Sequence, residues 1–312
     1  MRLTCLYLAV AVSGFCLACH EARGADASAS ASAISRGPRS VSKSILRGGS
    51  LSSLLLPADG KGPFPVVVVV GKVQGVQGFL DQGIAVAQTG GGVGGDFLRG
   101  YKNANGAVTW LHANAKSVNI NPDRIGLIGI SKNGNAATGV AASSGIGATK
   151  FGEPVMIAPR GQRKPADRVR CAVNLSGTTD LMQTDRFRRT STGGAMNMTI
   201  AAAMSASGIN YVTKDDPPVL HLFPFDSGAH GWMSGHRFDA VCRSKGSQST
   251  LLLTGTDNWE DLAADFFAMH LQDRKKPARV HLAPGGDASV AGPCNGWFTV
   301  ARFGDLSADL LV

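Results

Sequence analysis

Aromatic and charged side chains are both scarce in this chain of 312 residues. Phe, Trp and Tyr together make up 6% of the sequence, and Asp, Glu, Lys and Arg make up 17%. The formal net charge is +9, but the basic residues are scattered instead of clustered. The composition therefore does not indicate a surface that stacks nucleic-acid bases on aromatic rings beside basic side chains. We predict no nucleic-acid partner.

Cysteine pairs with the spacing of a metal site are also absent after residue 24. The chain contains six cysteines, and those that follow residue 24 form no C-x-x-C pair, which excludes the common zinc-binding patterns there. Three of the six lie within the first 24 residues. The other three, Cys171, Cys242 and Cys294, allow at most one disulfide bridge. We predict no metal and no other cofactor.

No apolar run in the sequence is long enough to cross a membrane comfortably. The run from Leu3 to Ala18 follows the positive charge of Arg2 and precedes the small-x-small sequence Ala22-Arg23-Gly24. This pattern is typical of a secretory signal peptide, so we predict that residues 1–24 are removed and that the protein is exported. Lipid attachment at Cys19 is a less favoured alternative, because the preceding residues match a lipoprotein cleavage box only in part.

Glycine is the residue in excess. The chain contains 40 glycines and 14 prolines, which indicates many tight turns. Residues 25–45 are rich in Ala and Ser and are predicted to form a linker. Residues 46–275 alternate between strand and helix patterns and are predicted to form one domain. Residues 276–312 follow it as a C-terminal extension.

The strands of this domain are predicted from short apolar runs between turn residues. Val66–Val70 is the clearest run, because consecutive β-branched residues fit a strand that is buried on both faces of a parallel sheet. Further strands are predicted at 84–88, 124–130, 169–175, 218–222 and 249–254, and helices at 103–117, 136–142, 237–243 and 259–271. This alternation predicts an α/β fold, with a mostly parallel sheet flanked by helices.

Ser131 follows the third predicted strand directly, in the motif Gly-Ile-Ser-Lys-Asn-Gly at residues 129–134. A serine at a strand-to-helix turn exposes its side chain at the carboxyl end of the sheet, and the next amide points to where an oxyanion would form. Such a turn requires small residues two positions before and after the serine. Gly129 meets this requirement and Asn133 does not. Ser131 is the candidate nucleophile.

Longer motifs surround the serine over residues 50–275. They include Leu-Pro-Ala-Asp-Gly-Lys-Gly-Pro-Phe-Pro (56–65), Asn-Pro-Asp-Arg-Ile-Gly-Leu-Ile-Gly-Ile-Ser (121–131) and Tyr-Val-Thr-Lys-Asp-Asp-Pro-Pro-Val-Leu-His (211–221). In this order they resemble the α/β-hydrolase superfamily, in its secreted bacterial esterase and lipase branch. The resemblance implies the α/β-hydrolase fold and hydrolysis of a carboxylic ester, carried by a small molecule or a polysaccharide. Gly-Ile-Ser-Lys also resembles acyl thioesterase-type members, so that activity stays open.

The resemblance also implies a catalytic triad in the chain order Ser, Asp, His. Ser131 takes the nucleophile position, and Asp226, in the loop after the strand at 218–222, takes the acid position. Asp180 is the fallback acid and fits a structural cap better. The family histidine belongs in the loop at 254–259, which contains none.

His230 is the candidate base, because Gly-Ala-His-Gly-Trp (228–232) resembles the histidine loop of the family. It occurs one helix and one strand early, so it can reach the serine only if this loop folds over the carboxyl edge of the sheet. The remaining candidates are weaker: His236 and His281 have no motif, His221 is predicted inside a strand, and His112 and His270 lie on predicted helices.

The oxyanion donors are predicted to be two backbone amides. The first belongs to Lys132, directly after the serine. The second belongs to Lys72 or Val73, because Gly71-Lys72-Val73-Gln74-Gly75 stands where the family has His-Gly-Gly-Gly. We assign it to Lys72.

Two other interpretations fit parts of the sequence. Gly90, Gly92 and Gly95 satisfy the G-x-G-x-x-G pattern of a dinucleotide site, but no acidic residue ends a following strand, so a loop at the sheet edge explains them better. The second interpretation is a catalytically inactive homologue with a binding or structural role. It is favoured by the clustering of the departures from the family at catalytic positions.

Overall fold

A computed structural model of the chain describes residues 38–40, 50–91, 97–143, 168–183, 200–224, 229–254, 259–274, 280–282, 288–291 and 297–300. The predicted signal peptide, Cys19, Cys294, and Gly92 and Gly95 of the glycine pattern lie outside these ranges. Of the predicted linker only residues 38–40 are described. Two of them, Arg39 and Ser40, pair with the following strand.

The described residues form an eight-stranded sheet in the order β1-β2-β4-β3-β5-β6-β7-β8. The pairs β1–β2 and β2–β4 are antiparallel, and the other five are parallel. The strands are β1 (Arg39–Ser40), β2 (Leu51–Leu56), β3 (Phe64–Val70), β4 (Ala85–Thr89), β5 (Ile120–Ile130), β6 (Cys171–Leu175), β7 (Val219–Pro224) and β8 (Ser249–Thr254). The predicted mostly parallel α/β sheet is confirmed.

Six helices accompany this sheet among the described residues. They are α1 (Gln77–Asp81), α2 (Phe97–Asn114), α3 (Lys132–Ala142), α4 (Ile200–Ser205), α5 (Ala229–Lys245) and α6 (Trp259–Leu271). Two short 3₁₀ turns lie at Leu181–Gln183 and Gly208–Tyr211. In the part of the chain that is described, no helix combines the length and the apolar character needed to cross a membrane.

The valines of β3 explain why the sheet is covered on both faces. Val66, Val68 and Val70 pack in one core with residues of α2, α3 and α5, and the intervening Val67 and Val69 pack in a second core with α1 and α6. All five are at most 1% exposed. Successive side chains of a strand point to opposite faces, so a run of β-branched residues is stable only where helices cover both.

Helix α5 differs most from its prediction, since it begins at Ala229 rather than at residue 237. Gly231 and Gly235 lower the helix propensity of this stretch, but tertiary packing overrides them. A Cβ atom at Gly235 would lie 2.7 Å from the ring of Phe223 on β7, so the missing side chain allows the helix to approach the sheet closely. The segment around His230 is therefore the first turn of a helix and not a loop, which corrects the prediction.

The predicted C-terminal extension contains a separate antiparallel sheet. Its strands are β9 (Val280–Leu282), β10 (Ala288–Ala291) and β11 (Trp297–Val300), in the order β11-β10-β9.

Cys171 and Cys242 are both free and buried, and they belong to the two different cores of the main sheet. These two cysteines therefore do not form a bridge with each other.

Candidate active site

Ser131 has a backbone conformation that non-glycine residues rarely adopt. It follows the last residue of β5 and directly precedes α3, with φ 55° and ψ −125°, and its side chain is exposed. Its N–H donates to the carbonyl of Leu175 at 2.8 Å, and its carbonyl accepts the N–H of Asn135 at 3.2 Å. Such a conformation costs about 1–3 kcal/mol, and it is the strained strand-to-helix turn that presents nucleophilic serines.

The small residue before the serine is required by backbone contact. A Cβ atom at Gly129 would lie 2.2 Å from the carbonyl oxygen of Asn133, so this turn cannot close with any larger residue at position 129. Two positions after the serine, Asn133 departs from the small-residue pattern. Its side chain lies between the ends of β3 and β4, where Cβ atoms at Gly71 and Gly91 would be 2.2 Å and 2.7 Å from its Nδ2. These two glycines make room for it.

The residues predicted to bind the oxyanion lie at the same edge of the sheet. Lys132 is the first residue of α3, and Lys72 follows Gly71 at the end of β3. Gly71 is held by a 3.0 Å hydrogen bond from its N–H to the carbonyl of Thr89, and its carbonyl accepts from Gln88 Nε2 at 3.3 Å. Because Gly71 contacts Asn133, the segment that carries Lys72 lies beside the turn that carries Lys132.

The loop after β6 packs against the other side of the serine. A Cβ atom at Gly177 would lie 2.6 Å from the carbonyl oxygen of Ser131 and 2.7 Å from the backbone nitrogen of Asn135. The Asn135 side chain donates to the carbonyls of Thr178 at 2.9 Å and Ala206 at 3.2 Å. The first turn of α3 is thus tied to two further segments, which hold the serine in place.

Helix α5 begins at the carboxyl edge of the sheet and is fixed to this same loop. Thr179 donates its N–H to Ser234 Oγ at 2.7 Å and its hydroxyl to the Ser234 carbonyl at 2.8 Å. His230 lies in the first turn of α5, four residues before Ser234. The backbone thus brings position 230 to the edge that carries Ser131.

The two acid candidates have different outcomes. Asp226 lies between β7 and α5, outside the described residues. Asp180 accepts the N–H of Met182 on Oδ1 at 3.1 Å and so caps the 3₁₀ turn Leu181–Gln183, as the structural interpretation predicts.

Glu260 is a carboxylate that sequence analysis missed. It lies in the first turn of α6, and a Cβ atom at Gly75 would be 1.7 Å from its Oε1, so it contacts the loop of Lys72.

A buried polar pair behind the serine was also missed. Asn174 on β6 and His221 on β7 are both 0% exposed, and Asn174 Nδ2 lies 3.0 Å from His221 Nδ1. Burial lowers the pKa of His221 from 6.5 to about 3, so the imidazole is neutral at physiological pH. Their sequence signal is a single polar residue inside each of two otherwise apolar strands.

The remaining histidines lie elsewhere. His236 is exposed on α5, and His281 is in β9. His112 and His270 line a cavity of about 740 Å³, together with Arg168 and other residues before β6 and β7, which places it at the amino edge of the sheet, opposite Ser131. Among the described residues, no group of three or more His, Cys, Asp or Glu side chains converges as a metal site would.

Residues 96–223 match the BD-FAE family model, which represents an α/β-hydrolase-type esterase family. A comparison with curated proteins gave no match. Among solved structures, the chain is similar to a truncated carbohydrate esterase from gut microbiota, with 16% identity over 70% of this chain and 90% of that one, and a TM-score of 0.54.

Two esterases of other sources are similar to the same degree. The thermophilic esterase 2 of the Planctomycetes species Thermogutta terrifontis has 13% identity over 79% of this chain and 96% of that one, with a TM-score of 0.56. A lipase/esterase from Lactobacillus plantarum has 12% identity over 76% and 98%, with a TM-score of 0.55. At these identities the similarity establishes the fold, and it confirms the fold that the sequence motifs imply.

Proposed function

We propose, from the premise that the chain has the α/β-hydrolase fold, that it hydrolyses carboxylic esters with Ser131 as the nucleophile. The observation that carries this proposal is the conformation of Ser131, with a φ of 55° at an exposed turn between β5 and α3. A protein without catalytic use for this serine gains stability by replacing it with glycine, which adopts positive φ without strain.

The proposed reaction proceeds through an acyl-enzyme. Ser131 Oγ attacks the acyl carbon of the ester while His230 accepts its proton, and Asp226 orients the imidazole. The amides of Lys132 and Lys72 donate to the oxyanion of the tetrahedral intermediate. The alcohol then leaves with the proton from His230. Water, deprotonated by His230, then attacks the acyl carbon. The bond to Ser131 Oγ breaks as His230 returns the proton to that oxygen, which releases the carboxylic acid.

Two contacts support the assignment of these roles. Asn133 joins the Gly71–Lys72 segment to the serine turn, so the two proposed oxyanion donors are carried by backbone segments in contact. Ser234 fixes the start of α5 to Thr179, next to the loop that packs on Ser131. His230, one helical turn before Ser234, is therefore the proposed base even though it precedes β8 in sequence.

The proposed substrate is an ester carried by a small molecule or a carbohydrate. Carbohydrate esterases are among the proteins of similar structure, which supports the second of these. We also propose export, on the signal-peptide pattern of residues 1–24.

A catalytically inactive homologue is the second candidate function. The observation that favours it is that no histidine occurs in residues 254–259, after β8, where the resemblance places the base. A thioesterase-type activity on acyl thioesters is the third, because Gly-Ile-Ser-Lys also resembles that branch.

Steady-state hydrolysis distinguishes the three. The mature protein is assayed on p-nitrophenyl acetate, on an acetylated xylooligosaccharide and on acetyl thiocholine, each alongside Ser131→Ala. We expect ester hydrolysis that the variant loses. Faster turnover of the thioester than of either ester would move the protein to the thioesterase class. Rates on all three substrates that are equal for both proteins and match the uncatalysed reaction would leave the inactive homologue.

A further inference from the structure

The buried pair Asn174 and His221 connects two neighbouring strands behind the serine. The two residues are partners in the parallel register of β6 and β7. His221 Nε2 is buried and has no hydrogen-bond partner among the described residues, and the ring of Phe238 lies 5.0 Å away between centroids. A buried polar atom without a partner is costly, so a histidine at this position requires an explanation that packing alone does not give.

The backbone of Gly177 determines how the Asn174 amide is oriented. Asn174 Oδ1 accepts the Gly177 N–H at 2.8 Å, and Nδ2 donates to the Gly177 carbonyl at 2.9 Å. The second hydrogen of Nδ2 therefore points to His221, whose Nδ1 must be the acceptor. His221 consequently carries its proton on Nε2 and is neutral.

Gly177 connects the Asn174–His221 pair to the nucleophile. It packs on the hydrogen bond between Asn135 and Ser131, the first of helix α3, since a Cβ atom there would lie within 2.7 Å of both atoms of that bond. Asn174 also contacts the turn directly, because a Cβ atom at Gly134 would lie 2.2 Å from its Oδ1. The chain of contacts is His221, Asn174, Gly177, Ser131.

We propose that His221 is a positioning residue for the serine: it holds the Asn174 amide so that Asn174 fixes the Gly177 turn against Ser131. This inference rests on the proposed function and deepens it. His221 touches no substrate, since it is buried inside β7. Its role is to accept, on Nδ1, the second hydrogen bond that Asn174 Nδ2 can donate. An apolar side chain at this position would leave that hydrogen unpaired, and the amide would be free to turn away from Gly177.

A matched pair of variants tests the inference. In His221→Asn the side-chain oxygen takes the place of Nδ1 and still accepts from Asn174. In His221→Leu the volume is similar but no acceptor remains. We expect kcat on p-nitrophenyl acetate to fall about tenfold or more in the leucine variant with KM nearly unchanged, and to stay within about threefold of wild type in the asparagine variant.

The thermal midpoint separates positioning from a general structural role. His221→Leu removes the buried Nε2–H, for which the described part of the chain offers no acceptor, so it should unfold at no lower temperature than His221→Asn. The orders of stability and activity are then opposite. If activity follows the thermal midpoint in both variants, or if the leucine variant is as active as the asparagine variant, the inference is wrong.

Hydrogen exchange keeps the test independent of the proposed function. If the wild-type protein hydrolyses no ester, that function fails, but the amides of Gly177 and Asn135 still report on the contact chain. We expect both amides to exchange about tenfold faster in His221→Leu than in His221→Asn. Equal exchange in the two variants overturns the inference whether or not the protein is an enzyme.

Discussion

A Cβ atom at Gly71 would lie 2.2 Å from the side-chain Nδ2 of Asn133. The residue that breaks the small-residue pattern after Ser131 thus occupies the space that a glycine leaves at the end of β3. Gly91, at the end of β4, forms the other side of this space. The departure from the family pattern at one position is compensated by two glycines that are distant from it in sequence.

Substitution at Gly91 tests this compensation. Gly91→Ala should lower the free energy of unfolding by about 1–3 kcal/mol, because the new methyl group meets Asn133 and the Cα atom of Gly71. Adding Asn133→Gly should restore part of the loss, since one of the two contacts disappears. Chemical denaturation measures both. Gly78→Ala is the control: apart from its chain neighbours and the backbone of its own helix, no atom of the described residues lies within 4 Å of a Cβ there, and alanine should stabilise α1 slightly. Additive effects of the two substitutions would contradict the compensation.

The strain at Ser131 predicts which of two inactive variants is the more stable. Ser131→Ala and Ser131→Gly should both lose ester hydrolysis by about a thousandfold or more. The glycine variant should be more stable than the alanine variant by about 1 kcal/mol, because only glycine is unstrained at a φ of 55°. Urea unfolding of the pair measures the difference. Equal stability would show that the turn is not strained.

The proposed base is tested by comparing two histidines on one helix. His230→Gln should lower kcat by about 100-fold or more, the usual contribution of a general base, while the corresponding change at exposed His236 should have little effect. If His236→Gln and not His230→Gln abolishes turnover, the assignment is wrong.

His221 predicts a loss of stability in acid. Its pKa is about 3 when folded and 6.5 when unfolded, so below pH 6.5 the unfolded state binds a proton that the folded state does not. The free energy of unfolding should therefore fall as the pH falls from 6.5 towards 3, by roughly 1.4 kcal/mol per unit. His221→Asn should reduce that slope by this amount between pH 6 and about pH 4. Parallel curves for the two proteins would contradict the burial of a neutral imidazole.

Six of the eight strands of the main sheet, β3 to β8, could be predicted because they carry their signal locally, whereas β1 and β2 were not predicted. Val66–Val70 is β-branched throughout, and such a run has few alternatives to a doubly covered strand. The turn at Ser131 could be predicted for the same reason, since Gly129 and a serine after a buried strand define it within a few residues. In both cases the determining contacts lie close together in sequence.

The contacts around the serine could not be predicted because they join residues far apart in sequence. The space for Asn133 depends on Gly71 and Gly91, and the start of α5 at Ala229 depends on packing of Gly235 against Phe223. Propensity alone assigns Gly231 and Gly235 to a non-helical segment. The pairing of Asn174 with His221 could not be predicted without the register of β6 and β7. The isolated polar residue in each strand indicated only a buried polar group.

Covalent labelling tests most directly whether Ser131 is a nucleophile. The purified protein is treated with a fluorophosphonate, which forms a stable phosphonyl ester with an activated serine, and the product is located by peptide mass spectrometry. We predict one equivalent of label on Ser131 at neutral pH, with none in Ser131→Ala. An unlabelled wild-type protein that is shown to be folded, or equal labelling of the alanine variant at another residue, would contradict it.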